Sequence, residues 1–445
     1  MLSFGRPALL IALVLGPLPA LAAPDAAIDF GRDVRPILSD KCFHCHGPDE
    51  SSRKAQLRFD TREGALRLKN DIAAIVPGKS AESEMIHRVT SREADEMMPP
   101  PESKLNPLTP QEVAILKRWI DEGAPYQPHW AFIPVAPVTA PVSPGEVHPI
   151  DRFVRAGLAP RQLTLQPEAP RETLLRRLAF DLTGLPPTLA EIDAFVHDRS
   201  PDALSRVVDR LLASPRYGER MAADWLDLAR YADSYGFQVD RERDMWPWRD
   251  WVIKAFNENL RWDQFVTWQL AGDLLPGATD EQILATAFNR LHAQEAEGGS
   301  VEEEYRINYV NDRVTTFGTA FLGLTLECAR CHDHKYDPIP QKDFYALSAF
   351  FQNIDEAGLY SFFTRSAPTP AMWVPDAVHR QKYEAATAEV KAAEAKLAAL
   401  RKTRRAAFTT WLTADATKPL APPPPLAHFT FDERTAPPPA PATKG

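Results

Sequence analysis

All four cysteines of the chain lie in two Cys-x-x-Cys-His motifs. The motifs consist of Cys42, Cys45 and His46, and of Cys328, Cys331 and His332. In such a motif the two thiols can bond to the vinyl groups of a haem, and the histidine that follows can bind the iron. The pattern therefore predicts two covalently bound haem c groups, with His46 and His332 as iron ligands.

Zinc binding and thiol redox chemistry are the alternatives for paired cysteines. A zinc ribbon brings its two pairs within about 15–20 residues, whereas Cys45 and Cys328 are 328 − 45 = 283 residues apart. A redox-active pair of the thioredoxin type occurs in a βαβ context, and few segments of this sequence alternate with a period of two. Haem attachment is therefore favoured at both motifs.

A second iron ligand for the first haem is expected later in the same domain. Met98 is our candidate, because it lies in a Met-Met-Pro-Pro-Pro run in which prolines can hold a methionine rigidly over the haem. A Met/His ligand pair raises the reduction potential of the iron. The alternative is that Met97 and Met98 only fill the core, and Met85 and His87 are less favoured ligands.

The second iron ligand of the second haem is less well defined by the sequence. His334 is too close to His332 to reach the opposite face of the same haem easily. Its two remaining roles are to ligate another haem or simply to bond its neighbours. His292 is a candidate upstream because histidine is a frequent metal ligand, and Met245 is another. An open position is the remaining alternative, and it would permit ligand chemistry in place of pure electron transfer.

The elements around these motifs predict a mostly α fold with a small cytochrome c domain of the class I type, a larger helical domain and a long C-terminal helix. In the first domain, residues 28–126, apolar side chains at helical spacing lead into Cys42. Thr109 and Glu112 form a capping box at the start of its last helix, and Pro110 occupies the first helical position.

Four further segments follow along the chain. Residues 127–149 are a proline-rich linker, because proline denies the segment a helix. Residues 150–366 form the larger helical domain with the second motif. Residues 376–412 are one long helix or coiled-coil arm, and residues 421–445 are a proline-rich tail that resembles, at 427–432, the start of a truncated lectin-like module.

The N-terminus predicts export. Residues 1–22 have a positive charge at Arg6, an apolar stretch at 8–15 and a small-residue cleavage site at 20–22, which is typical of a cleaved signal peptide. The alternative is a retained membrane anchor, although the apolar stretch is short and no later segment could span a membrane. The mature chain is thus expected in the periplasm or outside the cell.

The charge of the chain argues against nucleic acid as a partner. Lys and Arg number 51 and Asp and Glu number 60, which gives a net charge of −9. Nucleic-acid binding would need an excess of clustered positive charge. A redox partner protein is expected instead.

Longer stretches of this sequence resemble a known family. Residues 30–48, Met98-Pro-Pro and Leu108-Thr-Pro-Gln-Glu resemble the planctomycete-type cytochrome c domain, in which the Met-Pro-Pro methionine is the expected distal ligand, here Met98. Residues 182–187, 225–233, 269–273 and 323–338 resemble the domain of unknown function that usually follows it. The resemblance implies a large exported redox protein, often continued by a further domain and sometimes by a lectin-like module.

Three functions are consistent with these features. The first is electron transfer by an exported dihaem c-type cytochrome. The alternative is a haem-dependent oxidoreductase that acts at the second haem on an extracytoplasmic substrate, such as a polysaccharide. Acidic residues among Trp246, Trp248 and Trp251 could bind a sugar, but ion pairs that brace helices around a tryptophan core are the favoured interpretation. A binding module that carries haem is a third possibility.

Overall fold

The computed structural model describes residues 27–69, 72–145, 148–361, 363 and 367–414. The predicted signal peptide at 1–22 and the tail at 421–445, with its lectin-like start, lie outside these residues. The described part is mostly α-helical, as predicted, with one short two-stranded sheet. None of its helices is long and apolar enough to cross a bilayer.

The described residues divide into two compact units, one ending at Met372 and one beginning at Trp373. The predicted cytochrome domain, linker and second domain all fall in the first unit. Their boundaries at 126 and 150 therefore stay predictions.

The N-terminal part of the first unit is a small helical domain. Its elements are α1 (Arg35–Lys41), α2 (Phe43–His46), α3 (Arg62–Ala65), β1 (Leu68–Lys69), β2 (Ile72–Ala73), α4 (Glu84–Thr90) and α5 (Pro110–Asp121), and the strands pair antiparallel. Val34 and Leu38 before the first motif pack against Leu116 and Trp119 of α5, and all four are fully buried. This core holds the start of the first motif against the last helix of the domain.

Helix α5 begins as the sequence predicts. The Glu112 amide donates to the Thr109 hydroxyl at 3.2 Å, and the Thr109 amide donates to the Glu112 carboxylate at 2.6 Å. This reciprocal capping box satisfies two amides that the helix itself leaves without partners. The beginning of α5 is therefore fixed by local sequence alone.

The rest of the first unit consists mainly of helices, most of which pack around apolar cores. They are α6 (Pro149–Leu158), α7 (Arg171–Thr183), α8 (Leu189–His197), α9 (Ala203–Leu212), α10 (Pro215–Leu228), α11 (Trp246–Asn257), α12 (Trp262–Ala271), α13 (Asp280–Ala285), α14 (Glu302–Phe317) and α15 (Gln341–Ser348). Helices α10 and α11 cross closely at Gly218, where a Cβ would lie 2.4 Å from the Ile253 carbonyl oxygen. Only glycine permits this approach of the two backbones.

The second motif begins on a short 3₁₀ turn, Glu327–Arg330, between α14 and α15, and Cys331 and His332 follow this turn directly. Ala329 is fully buried in a core with Val314 of α14 and Phe344 of α15. The Arg330 carbonyl accepts hydrogen bonds from the Tyr345 hydroxyl at 2.9 Å and from the side-chain Nε2 of Gln341 at 3.2 Å. The motif is thus anchored from its inner side by both helices.

The second unit contains the long C-terminal helix. Helix α16 spans Ala377–Ala414, which confirms the helix predicted at 376–412. None of its described side chains is buried, and Tyr383 packs on Trp373 with ring centroids 4.8 Å apart. A coiled-coil role for this helix stays a prediction.

Candidate haem centres

The first motif forms a single helical turn. The amides of Cys45 and His46 both donate to the Cys42 carbonyl, at 3.1 and 2.8 Å. Residues three and four positions apart lie on the same face of such a turn. Both thiols and the imidazole are therefore presented on one side of α2.

A cavity of about 770 Å³ lies beside this turn. Its walls include Cys42, Cys45, His46 and Met98, together with apolar side chains such as Leu57, Phe59, Ala74, Val89, Leu105 and Leu108. Cavities of this size and apolar character hold large organic ligands. The structure thus brings together all the residues that the sequence predicted for the first haem.

The donor groups of this cavity fit a covalently attached haem. Nδ1 of His46 is buried and has no hydrogen-bond partner among the described residues. Burial lowers the pKa of His46, which favours the neutral imidazole that iron requires. Burial also raises the pKa of the Cys42 thiol to about 12, whereas redox-active thiols have lowered pKa values.

Met98 reaches the cavity from the loop that follows α4. Its amide donates to the Arg88 carbonyl at 3.0 Å, and the next residue, Pro99, is buried. Met85 also lines the cavity but is only 5% exposed and belongs to the hydrophobic core. His87 is exposed. Met98 thus stays our predicted ligand, and Met85 is the structural alternative.

The second motif repeats the turn of the first in a more open setting. The amides of Cys331 and His332 approach the Cys328 carbonyl at 3.3 and 3.5 Å. Both cysteines are exposed, and 44% of the His332 side chain is accessible. Nδ1 of His332 lies 2.7 Å from the Asp333 carbonyl oxygen, so Nδ1 carries the proton and Nε2 is the nitrogen that can bind iron.

His334 is held by its own loop. It is 7% exposed, and its Nδ1 accepts hydrogen bonds from the amides of Asp337 at 2.9 Å and Tyr336 at 3.3 Å. Of the roles considered from the sequence, bonding to neighbours is the one that this geometry favours.

His292 occupies a different environment from the one expected of an iron ligand. It is 1% exposed, and its Nδ1 donates to the Ala293 carbonyl at 2.9 Å. Its Nε2 accepts from Arg313 at 2.8 Å and lies 3.1 Å from Glu356. Both ring nitrogens already have partners, so we do not propose His292 as a ligand of the second haem. Its place in a buried ionic cluster explains its burial.

This environment predicts that His292 makes the fold sensitive to acid. Burial, and after it the charge of Arg313, lowers the pKa of His292 well below its usual value. Below about pH 6.5 the unfolded chain binds a proton here that the folded chain does not, so the free energy of unfolding falls with pH. Between pH 7.5 and 5.5 the loss from this residue is about 1.4 kcal/mol.

Urea unfolding of the wild type and of His292→Gln at both pH values measures this contribution. We expect the variant to lose about 1.4 kcal/mol less stability than the wild type over this interval. Because each protein is compared with itself, a general loss of stability in the variant cancels. Equal losses in the two proteins would contradict the assignment.

The second motif contacts the N-terminal domain. Nδ1 of His332 lies 3.9 Å from the carboxylate of Asp49, which follows the first motif by three residues.

The loop that follows the second motif makes further contacts. Arg35 of α1 donates to the Tyr336 carbonyl at 2.9 Å. Asp337 faces Arg35 at 3.6 Å and His129 at 3.2 Å. No sequence signal pointed to this contact.

Asp49 is a buried carboxylate with its own hydrogen bonds. The amide and hydroxyl of Ser51 donate to it at 3.0 and 2.7 Å, and the Ser52 hydroxyl donates at 2.9 Å. Burial alone would raise the pKa of Asp49, but the bonds from Ser51 and Ser52 outweigh it and lower the pKa. The residue therefore presents a negative charge to His332 at neutral pH.

The tryptophans near the acidic residues of the second domain are largely structural. Trp248 and Trp251 are 1% and 3% exposed and belong to the core, while Trp246 is 46% exposed. Arg249 pairs with Asp250 at 2.8 Å. These contacts favour ion pairs around a tryptophan core over a sugar site.

Two family models match the chain. Planctomycete cytochrome C matches residues 42–102, which contain the first motif and Met98. The family described as a protein of unknown function (DUF1549) matches residues 149–356, which contain the second motif. No curated protein and no solved structure matches the chain.

The first match identifies a haem-binding cytochrome with covalently attached haem c. It confirms the resemblance of the N-terminal domain, and the second match confirms that of the domain behind it. The chain therefore carries a planctomycete cytochrome C domain followed by a DUF1549 domain, the two-domain arrangement that the sequence resembles.

Proposed function

We propose that the chain is an exported dihaem c-type cytochrome that carries out electron transfer. The observation that carries this proposal is the contact between the second motif and the segment that follows the first motif. His332 lies 3.9 Å from Asp49, three residues after His46. In each motif the amides of the second cysteine and of the histidine point to the carbonyl of the first cysteine. Two redox groups attached at these motifs would be neighbours within one compact unit.

The residues of the first motif are suited to hold a haem in a fixed, apolar environment. Haem iron bound there would supply one-electron chemistry, and its potential would be set by its axial ligands and surroundings. Cys42 and Cys45 would provide the attachment, and the His46 imidazole and the Met98 sulfur would bind the iron. The apolar part of the cavity wall would control solvent access to the haem and so help to set its potential.

At the second motif, Cys328 and Cys331 would provide the attachment, and the His332 imidazole would bind the iron. The exposure of these residues suits exchange of electrons with an external redox partner protein. The predicted signal peptide supports a periplasmic or secreted location. There the chain would receive its haem groups and would contact its redox partner protein.

The absorption spectrum of the purified, matured chain tests this proposal together with the haem-to-protein ratio. We expect two covalent haems per chain, both low-spin in the reduced state. Stoichiometric reduction by one external donor would support transfer through both centres. One haem per chain, or none, would contradict the dihaem assignment.

The open surroundings of the second motif favour a second candidate function. With 44% of the His332 side chain accessible and no partner assigned to the opposite face of its iron, that centre is also suited to bind a small substrate. The chain would then be a haem-dependent oxidoreductase acting on an extracytoplasmic substrate. A high-spin signal from one of the two haems, with a spectral shift on adding cyanide or carbon monoxide, would favour this candidate.

A further inference from the structure

We propose that Asp49 is a positioning residue for the second haem: from the N-terminal domain, it fixes the charge beside His332 and lowers the reduction potential at the second motif. The proposal rests on the proposed dihaem function. It gives the first domain a direct role in setting the reduction potential of the haem attached to the second domain.

The protein itself holds the Asp49 carboxylate in place, without any contribution from a haem. Its carboxylate is 8% exposed and is held by Ser51 and Ser52. The loop is held in turn by Arg53, which donates to the carbonyls of Pro48 at 2.6 Å and Gly47 at 3.2 Å. A carboxylate with this many restraints cannot easily move away from His332.

The partner side of the contact is equally restrained. Arg35 and His129 both approach Asp337, and Arg35 also bonds to the Tyr336 carbonyl. His334 ties the same loop together from within. The distance between Asp49 and His332 is therefore set by contacts on both sides of the interface.

A carboxylate near a ligating histidine changes the metal centre in a known direction. Outer-sphere partners of the non-ligating ring nitrogen fix the ring orientation and raise the basicity of the ligand. Here the Asp333 carbonyl accepts the bond at 2.7 Å, and Asp49 adds a negative charge 3.9 Å from the same nitrogen. Negative charge there favours the oxidised iron, so it lowers the reduction potential.

Asp49→Asn removes this charge and keeps an oxygen that can accept from Ser51. We expect the potential of the second haem to rise by about 59 mV, which is a tenfold change in the equilibrium constant of a one-electron couple. Spectropotentiometry followed by electron paramagnetic resonance of the oxidised iron measures it. A variant with Cys42 and Cys45 replaced by alanine, which should keep the second haem alone, identifies the signal of that haem. The signal of the second haem should also broaden as the orientation of His332 is released.

Glu50→Gln is the matched control, since it removes the same charge from an exposed neighbour. Asp49→Glu keeps the charge and should keep the low potential. The proposal is overturned if Asp49→Asn leaves the second potential unchanged, or if Glu50→Gln shifts it equally. It is also overturned if Asp49→Asn shifts only the first haem.

The haem-to-protein ratio of the wild type tests the proposed dihaem function separately from the role of Asp49. A haem-to-protein ratio of one in the wild type would defeat the proposed function, whatever Asp49 does. A ratio of two with no effect of Asp49→Asn would leave that function standing and remove only the role of Asp49. Circular dichroism of each variant reports whether it has folded. If Asp49→Asn has not folded, the potential of the second haem in Asp49→Glu is compared with that of the wild type instead.

Discussion

Replacing Cys42 and Cys45 with alanine should lower the covalent haem content from two per chain to one. Thioether attachment needs the two thiols, and these two line the cavity with His46. Cys328 and Cys331 are far from them in sequence and lie on a separate turn, so attachment at the second motif should persist. Pyridine haemochrome analysis against protein concentration measures the ratio.

The reciprocal variant, with Cys328 and Cys331 replaced by alanine, is the control for this prediction. It should also carry one haem, with the spectrum of the Met/His centre alone. Replacement of all four cysteines should abolish covalent haem. If the reciprocal variant kept the wild-type ratio, the second motif would not be an attachment site, and the chain would carry a single haem.

Replacing Met98 with alanine should lower the reduction potential of the first haem and leave its iron open to external ligands. Thioether sulfur favours the reduced iron, so its loss lowers the potential. Axial ligands account for a range of about 0.8 V among haem proteins, and we expect a fall of roughly one to three tenths of a volt. Potentiometry and the loss of the methionine-to-iron absorption band measure the change.

Met97→Ala is the matched control, since Met97 adjoins Met98 but is not among the residues that line the cavity. It should keep the wild-type potential and absorption band. If Met98→Ala kept both and Met85→Ala lost them, the ligand would be Met85, which lines the same cavity. Retention of both in all three variants would exclude methionine ligation.

Features set by short stretches of sequence were predictable. The capping box at Thr109 forms as expected. A second one forms at Thr188, and α7 ends where Gly184 adopts a left-handed conformation. The turn at each Cys-x-x-Cys-His motif likewise depends on the five residues of that motif. In each case the deciding interactions are local hydrogen bonds and backbone preferences, which the sequence displays directly.

Features that depend on distant residues were not predictable. The sequence offered His292 as an isolated histidine, but its partners Arg313 and Glu356 come from a later helix and loop. The contact of Asp49 with His332 joins residues nearly three hundred positions apart. No periodicity or motif reports such pairs, because they arise only when the helices pack.

The different accessibility of the four thiols has a consequence for biogenesis. Cys42 lies within the packed first domain, whereas Cys328 and Cys331 are exposed on the folded surface. An attachment enzyme must reach both thiols and the haem together. We expect the first motif to be loaded on the newly translocated chain, before the domain closes, while the second can still be loaded afterwards. Maturation would then proceed from the N-terminus, and incompletely matured chains would lack the second haem.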